Sequence, residues 1–187
     1  MSKRNKPKGK RINPTYWVFC EGKTEETYVT YLRTKYRLPI VITCRVAGSN
    51  ISQSFIKKSK QGRPTDPKDR DFLIYDGDVR STMERLKKID SLQLIVSNPS
   101  IELWFLYHYK NQQSEISGEE CARQLTSRNG IPYRKGTIDK KLKSKLDSDY
   151  LKACERAKKS PLFENPSSNV YLLIEELERI KNDKSKP

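Results

Sequence analysis

Short apolar runs alternate with polar, helix-compatible segments over the first hundred residues. Helical periodicity and capping signals fill the segments between the runs. Strands that alternate with helices predict βαβ units, and therefore an α/β fold with a mostly parallel, four-stranded, Rossmann-like sheet flanked by helices. Four runs have the length and the apolar or β-branched content of buried strands: Tyr16–Cys20, Ile40–Val46, Phe72–Tyr75 and Leu92–Val96.

Capping signals predict where several helices begin. Thr24 is expected to cap the helix after the first strand, and the segments Ser81–Glu84 and Ser117–Glu120 match the capping box. From Ser117 onward the pattern is helical, with a basic helix over about 139–159 and an amphipathic stripe over 170–180. A helical C-terminal portion is therefore predicted to follow the α/β part.

These patterns divide the chain into four segments. Residues 1–14 are expected to form a flexible basic arm, and residues 15–110 the α/β core. Residues 111–181 are expected to form a helical extension packed on that core, and residues 182–187 a frayed tail. The glycine-rich dinucleotide fingerprint and the Walker loop are both missing, so the core is not predicted to be a nucleotide-binding domain of those kinds.

The charge balance bears on possible partners. The chain has 187 residues, with 38 Lys and Arg against 23 Asp and Glu, and a formal net charge of +15. Basic residues dominate 1–11, 57–63 and 134–159. Such a charge attracts polyanions and favours a nucleic-acid partner, although a merely solvated basic face is the alternative. No apolar stretch approaches the length of a membrane span, so a soluble, cytoplasmic protein without membrane contact is expected.

The cysteines and the histidine argue against a structural zinc site. The four cysteines occur singly, and the chain has one histidine. We expect the cysteines to be small buried hydrophobic residues.

Acidic residues follow two of the predicted strands directly. Glu21 follows the first strand, and Asp76 and Asp78 follow the third. Ligand sites of open α/β sheets lie at the carboxyl ends of strands, so these carboxylates converge if strands one and three are neighbours. Converging carboxylates repel unless a cation lies between them, and hard oxygen ligands suit Mg²⁺ or Mn²⁺. The pattern predicts a metal site for phosphodiester cleavage. A solvated turn and a helix-dipole acid are the alternatives.

Larger motifs resemble a known family. The segments 19–25 (FCEGKTE) and 97–104 (SNPSIELW), with His108 behind the second, and Asn169–Tyr171 before an amphipathic helix are similar to the RloB-like family. The acidic residue and glycine after strand one, with Asp-x-Asp after strand three, resemble the TOPRIM domain of topoisomerases, primases and related nucleases. Position 100 is Ser where this family commonly has Cys.

The resemblance implies a TOPRIM-like catalytic core and a nuclease of bacterial or archaeal anti-phage defence, with an ATPase of the RloA kind as its partner. It implies that Glu21, Asp76 and Asp78 bind Mg²⁺ or Mn²⁺, and that Glu25 is a further acidic member of the site. The alternative is a non-catalytic module that binds nucleic acid or the ATPase and carries a vestigial acidic pocket.

Three further residues have two interpretations each. Glu102 opens the helix after the fourth strand and is a candidate metal ligand, or it compensates the helix dipole. Lys23 is a candidate catalytic residue that stabilises charge on a phosphoryl oxygen, or it neutralises nearby acids. His108 is a candidate general base, although its apolar helix favours a packed histidine.

The basic segment before and within the helix at 139–159 is the candidate nucleic-acid surface, with a solvated helix face as the alternative. Phosphate contacts do not distinguish DNA from RNA. The sequence also leaves open whether the chain forms a homo-oligomer. The predicted contacts are made by Arg134, Lys135, Lys140, Lys141, Lys143 and Lys145.

Overall fold

The computed structural model describes residues 13–184, in which five strands form one sheet. The order across the sheet is β2-β1-β3-β4-β5, with all pairs parallel except β4 with β5. The predicted α/β fold with a mostly parallel sheet is therefore confirmed. The strands are β1 (Thr15–Cys20), β2 (Val41–Val46), β3 (Arg70–Asp76), β4 (Gln93–Asn98) and β5 (Ser167–Ser168).

Eight α-helices and a short 3₁₀ helix at Gly48–Asn50 accompany the sheet within residues 13–184. None of these helices is long and apolar enough to cross a bilayer. The α-helices are α1 (Lys23–Tyr36), α2 (Gln53–Lys60), α3 (Arg80–Leu86), α4 (Ile101–Tyr107), α5 (Gly118–Asn129), α6 (Lys140–Ser148), α7 (Tyr150–Ala157) and α8 (Tyr171–Lys184).

Two separate apolar clusters show how the helices cover the sheet. One contains apolar residues of α1, α4, α5, α6, α7 and α8, and the other contains those of α2 and α3. Alternate residues of β1 serve the two clusters, because successive strand side chains face opposite sides. The connections that leave β1 and β3 therefore run over opposite faces, and the space between the carboxyl ends of these neighbouring strands is a topological switch point.

Two predicted helix starts are wrong. Gly22, not Thr24, is the N-cap of α1, because the Glu25 carboxylate accepts a hydrogen bond from the Gly22 N–H and the Thr24 hydroxyl accepts one from Gly136. The helix α3 begins at Arg80, so the predicted cap Ser81 lies inside it. At α5 the prediction holds, since the Ser117 hydroxyl caps the Glu120 N–H.

The C-terminal portion differs from its prediction in three places. The basic helix is two helices, α6 and α7, which meet at Asp149. The two-residue strand β5 lies in a portion predicted to be helical, and it pairs with the end of β4. The helix α8 continues to Lys184, so residues 182–184 are helical where a frayed tail was predicted, and an Arg179–Asp183 ion pair joins its last turns. Residues 1–12 of the predicted arm and residues 185–187 lie outside the described residues.

Candidate acidic site

Glu21 and Asp76 lie side by side at the switch point. The sheet register pairs Cys20 with Ile74, which brings the residues after β1 and at the end of β3 to the same edge. The backbone N–H of Asp76 donates to Glu21 Oε2 at 3.0 Å. Asp76 Oδ1 in turn accepts from the backbone N–H of Ile101 at 3.0 Å, at the start of α4. The neighbourhood of strands one and three, on which the predicted convergence depended, is therefore present.

Gly77 and Asp78 continue the chain from β3 over the edge of the sheet. A Cβ atom at Gly77 would lie 2.8 Å from Val96 Cγ1 and 2.9 Å from Asn98 Cβ, so a side chain there would collide with β4. Asp78 is exposed, and its charge contributes to raising the pKa of Glu21. Asp78 therefore lies on the solvent side of the site, next to Glu21.

Glu25 and Glu102 form the buried side of the site. Their exposed fractions are 4% and 1%, respectively. Glu25 Oε2 accepts from the Gly22 N–H at 2.9 Å. Both oxygens of Glu102 are engaged, since the Ser100 hydroxyl donates to Oε2 at 2.7 Å and the Tyr133 hydroxyl donates to Oε1 at 2.9 Å. Glu21, Glu25, Asp76, Asp78 and Glu102 are called the acidic cluster below.

The electrostatics of the acidic cluster are unusual for a protein of high positive charge. Burial, followed by the charges of Glu25, Glu102 and Glu21, raises the pKa of Asp76 to about 8, against the opposing effect of its hydrogen bond from Ile101. Burial also raises the pKa values of Glu21 and Glu25. The ion pairs within residues 13–184 all lie outside the acidic cluster. The buried negative charge is therefore not compensated by lysine or arginine.

The acidic cluster has the donor chemistry of a hard cation site but not a finished coordination geometry. Within residues 13–184, no three Asp, Glu, His or Cys side chains are arranged so that they could hold a metal ion. Glu21 and Asp76 each use one carboxylate oxygen in the hydrogen bonds described above, which leaves the second oxygen for a ligand. A divalent ion fits the charge and oxygen chemistry, and its binding requires the carboxylates to turn toward it.

Lys23 lies at the edge of the acidic cluster and is exposed. Its ammonium group forms an ion pair with Glu26 at 2.6 Å, and this interaction raises the pKa of Lys23. The contact matches the interpretation of a lysine that neutralises a neighbouring acid. A catalytic role of Lys23 stays a prediction.

The six predicted nucleic-acid contacts fall into two groups. Arg134, Lys135 and Lys140 are exposed and have no hydrogen bond or ion pair from their side chains to any residue of the described range 13–184. The other three are engaged within the fold. Lys141 donates to the Asn129 carbonyl oxygen, Lys143 pairs with Asp147 and Lys145 pairs with Asp149.

His108 is packed inside the protein. It is 1% exposed, its Nδ1 lies 2.9 Å from the Trp104 carbonyl oxygen, and its ring meets the Trp104 ring edge-on. Burial lowers the pKa of His108 to about 4, so the imidazole is neutral at physiological pH. These contacts match the packed histidine rather than the general base.

Tyr133 is the member of the site that sequence reasoning missed. It contacts Glu102 across 31 positions of the chain, from a loop between two helices, and local pattern carries no signal of that contact. Ser100 stands out in the sequence as a departure from the family pattern, but the sequence carries no signal of its hydrogen bond to Glu102.

Comparison with known proteins gives one finding. Neither the curated proteins nor the solved structures contain a match to this chain. A family model described as "RloB-like protein" matches residues 16–177, which span β1 to most of α8 and include the whole acidic cluster. The chain therefore belongs to the RloB-like family.

Proposed function

We propose that this protein is a TOPRIM-type nuclease that cleaves phosphodiester bonds in DNA or RNA with Mg²⁺ or Mn²⁺. We further propose that it is the effector of a bacterial or archaeal anti-phage defence system and acts with an ATPase of the RloA kind. Membership of the RloB-like family and the sequence resemblance to TOPRIM domains support this proposal.

One observation carries the proposal. The half-buried carboxylate of Asp76 lies among those of Glu21, Glu25 and Glu102, and burial and these neighbouring charges raise its pKa to about 8. Such an arrangement is costly for folding when no cation compensates it. Strongly perturbed carboxylates at the switch point of an α/β sheet are typical of functional sites rather than of structural ones.

The residues of the acidic cluster have distinct tasks in this proposal. Glu21, Asp76 and Asp78 are the proposed metal ligands, and Glu102 is a further candidate once a donor to its oxygens gives way. A divalent ion bound there would supply Lewis-acid polarisation of the phosphoryl group and favour the attack of water. The backbone N–H of Ile101 holds Asp76 in place, and the backbone N–H of Asp76 holds Glu21.

The test compares two carboxylate-to-amide variants of nearly equal shape. Purified chain, alone and with its ATPase partner, is incubated with DNA or RNA and Mn²⁺ or Mg²⁺. Asp76→Asn is expected to lower the cleavage rate at least about 100-fold, because it removes a charge that binds the metal. Asp149→Asn, at a carboxylate paired with lysines in the C-terminal helices, is the matched control and is expected to cleave normally. Equal cleavage rates of the two variants would contradict the proposed metal-dependent mechanism.

A second candidate is favoured by a specific observation. Glu21, Glu25, Asp76 and Glu102 all accept internal hydrogen bonds, and no metal-holding arrangement exists among residues 13–184. These contacts fit a non-catalytic module that binds nucleic acid or the ATPase and carries a vestigial acidic pocket. Titration calorimetry separates the two candidates, since the nuclease binds Mn²⁺ with an affinity that Asp76→Asn reduces, whereas the module binds no Mn²⁺ at the acidic cluster.

A further inference from the structure

The loop between α5 and α6 folds back onto the acidic cluster. We call residues 130–139 the clamp loop. The Tyr133 hydroxyl donates to Glu102 Oε1 at 2.9 Å, which fixes one side of the loop to a buried member of the cluster. On the other side, the Gly136 N–H donates to the Thr24 hydroxyl, and the Thr27 hydroxyl donates to the Gly136 carbonyl oxygen, each at 3.0 Å. Both attachment points therefore lie on or beside cluster residues.

Two positive residues occupy the positions between these attachments. The Thr137 N–H donates to the Arg134 carbonyl oxygen at 3.1 Å, which closes a β-turn with Lys135 and Gly136 in its centre. Gly136 has a φ of +76°, and a Cβ atom there would lie 3.0 Å from Lys23 Cγ, so the turn requires glycine. Successive Cα atoms are about 3.8 Å apart, and Arg134 and Lys135 are thus held at the rim of the acidic cluster.

These two residues do not neutralise the cluster beside which they lie. Their side chains are exposed and make no ion pair or hydrogen bond to residues 13–184. If their role were to compensate Glu102 or Glu25, burial of an ion pair would be expected at this position. The arrangement instead presents cations to solvent next to carboxylates that accept hydrogen bonds but form no ion pair.

We infer that the clamp loop is a phosphate-binding element, in which Arg134 and Lys135 bind the phosphate groups of the nucleic-acid strand that enters the acidic cluster. This inference rests on the proposed nuclease function and deepens it. A phosphodiester strand requires positive charge for its flanking phosphates and oxygen ligands for a metal at the cleaved one, and the clamp loop holds the two kinds of group together. Tyr133 and Gly136 are positioning residues of this element.

The direct test measures nucleic-acid binding in the Asp76→Asn background, so that cleavage plays no part. Binding of a labelled oligonucleotide is measured over a range of salt concentrations. Arg134→Ala/Lys135→Ala is expected to weaken binding about tenfold or more at low salt and to reduce the slope of log K against log salt by about two, since each phosphate contact contributes about one unit.

A matched control removes the same charge elsewhere. Lys87 and Lys88 are exposed directly after α3, which packs on the face of the sheet opposite to α5 and α6, and Lys87 lies over the Phe163 ring. Lys87→Ala/Lys88→Ala is expected to leave the slope of log K against log salt for nucleic-acid binding unchanged. Equal losses in the two double variants would show only the effect of net charge and would overturn the inference.

A third variant tests the positioning role. Gly136→Ala keeps both cations but strains the turn, because an L-residue rarely adopts this φ and its Cβ approaches Lys23. In the otherwise unmutated protein, the cleavage rate at saturating nucleic acid is expected to fall about tenfold or more, because the strand is misplaced. The slope of log K against log salt for binding is expected to stay the same, because both cations are kept. A normal cleavage rate with the normal thermal stability would contradict the positioning role.

The failures of the two proposals are distinguishable. If Asp76→Asn abolishes cleavage but Arg134→Ala/Lys135→Ala binds nucleic acid normally, the nuclease stands and the clamp loop does not. If the protein does not cleave nucleic acid at all, cleavage cannot test either proposal. A reduced slope of log K against log salt in Arg134→Ala/Lys135→Ala would then still show a phosphate-binding element.

Discussion

Carboxylates have opposite electrostatic surroundings in the acidic cluster and at the junction of the helices α6 and α7. Asp149, at the junction of α6 and α7, is 7% exposed, close to the 4% of Glu25 in the acidic cluster. Hydrogen bonds from Lys145, Lys152 and Ser148 hold the pKa of Asp149 well below its usual range. In the acidic cluster, burial and neighbouring carboxylates instead raise the pKa of Glu25, and they raise the pKa of the half-buried Asp76 to about 8.

The comparison shows that burial alone does not decide the charge state of a carboxylate. The presence of lysine partners makes Asp149 a stabilising residue, and their absence makes Asp76 a destabilising one. The protein has many more basic than acidic residues, yet none of the described ones forms an ion pair with Asp76. The uncompensated cluster is therefore the part of the described molecule whose charge arrangement lowers stability, which is what the proposed function leads us to expect of a site.

The largest expected effect on stability is that of Asp76→Asn in metal-free buffer. The folded pKa of Asp76 lies above its unfolded value, so its contribution to stability is present below about pH 4 and is lost as the pH rises toward 8. The variant should therefore be more stable than the parent at pH 8.5, by about 2–4 kcal/mol, and the difference should shrink toward pH 4. Urea unfolding with a chelator present measures it, and a variant less stable than the parent at pH 8.5 would contradict the charge assignment.

A smaller effect of opposite sign is expected for Asp149→Asn. The folded pKa of Asp149 lies below its unfolded value, so its contribution is present above about pH 4 and is lost as the pH falls further. The variant should lose about 1–2 kcal/mol at pH 7, because the half-buried Lys145 and the exposed Lys152 lose their partner. Urea unfolding at pH 7 and at pH 2.5 checks this, and a loss that persists unchanged in acid would point to packing instead of charge.

The smallest effect is expected for Lys23→Ala. The ammonium group is exposed and bound to Glu26, at the edge of the acidic cluster. Cleavage should fall less than about tenfold, far less than in Asp76→Asn, because solvent screens an exposed charge. Steady-state cleavage kinetics measure the difference. A loss as large as that of Asp76→Asn would show that Lys23 acts directly on the phosphoryl group.

The sheet and the acidic edge were predictable from sequence, because they depend on local patterns. The apolar runs of β1 and β3 are long enough to identify. Glu21 follows β1 directly, and Asp76 is the last residue of β3. Parallel alternation with helices then predicts which ends of the strands meet.

Other features could not be predicted, because they depend on contacts distant in the chain. The contact of Gly136 with Thr24 spans 112 positions, and that of Tyr133 with Glu102 spans 31. The lysines of α6 look alike in sequence, although Lys143 is engaged with Asp147 and Lys140 is not engaged within residues 13–184. The strand β5 has two residues, too few to produce an alternating pattern.

The proposed function depends above all on the binding of a divalent cation by the acidic cluster. Crystals of the protein soaked in Mn²⁺ at pH 8.5, where Asp76 is largely ionised, allow the ion to be located by its anomalous scattering. We expect an anomalous peak in contact with the carboxylates of Asp76 and Glu21, and no such peak in Asp76→Asn crystals. Parent crystals without Mn²⁺ beside Asp76 would contradict it.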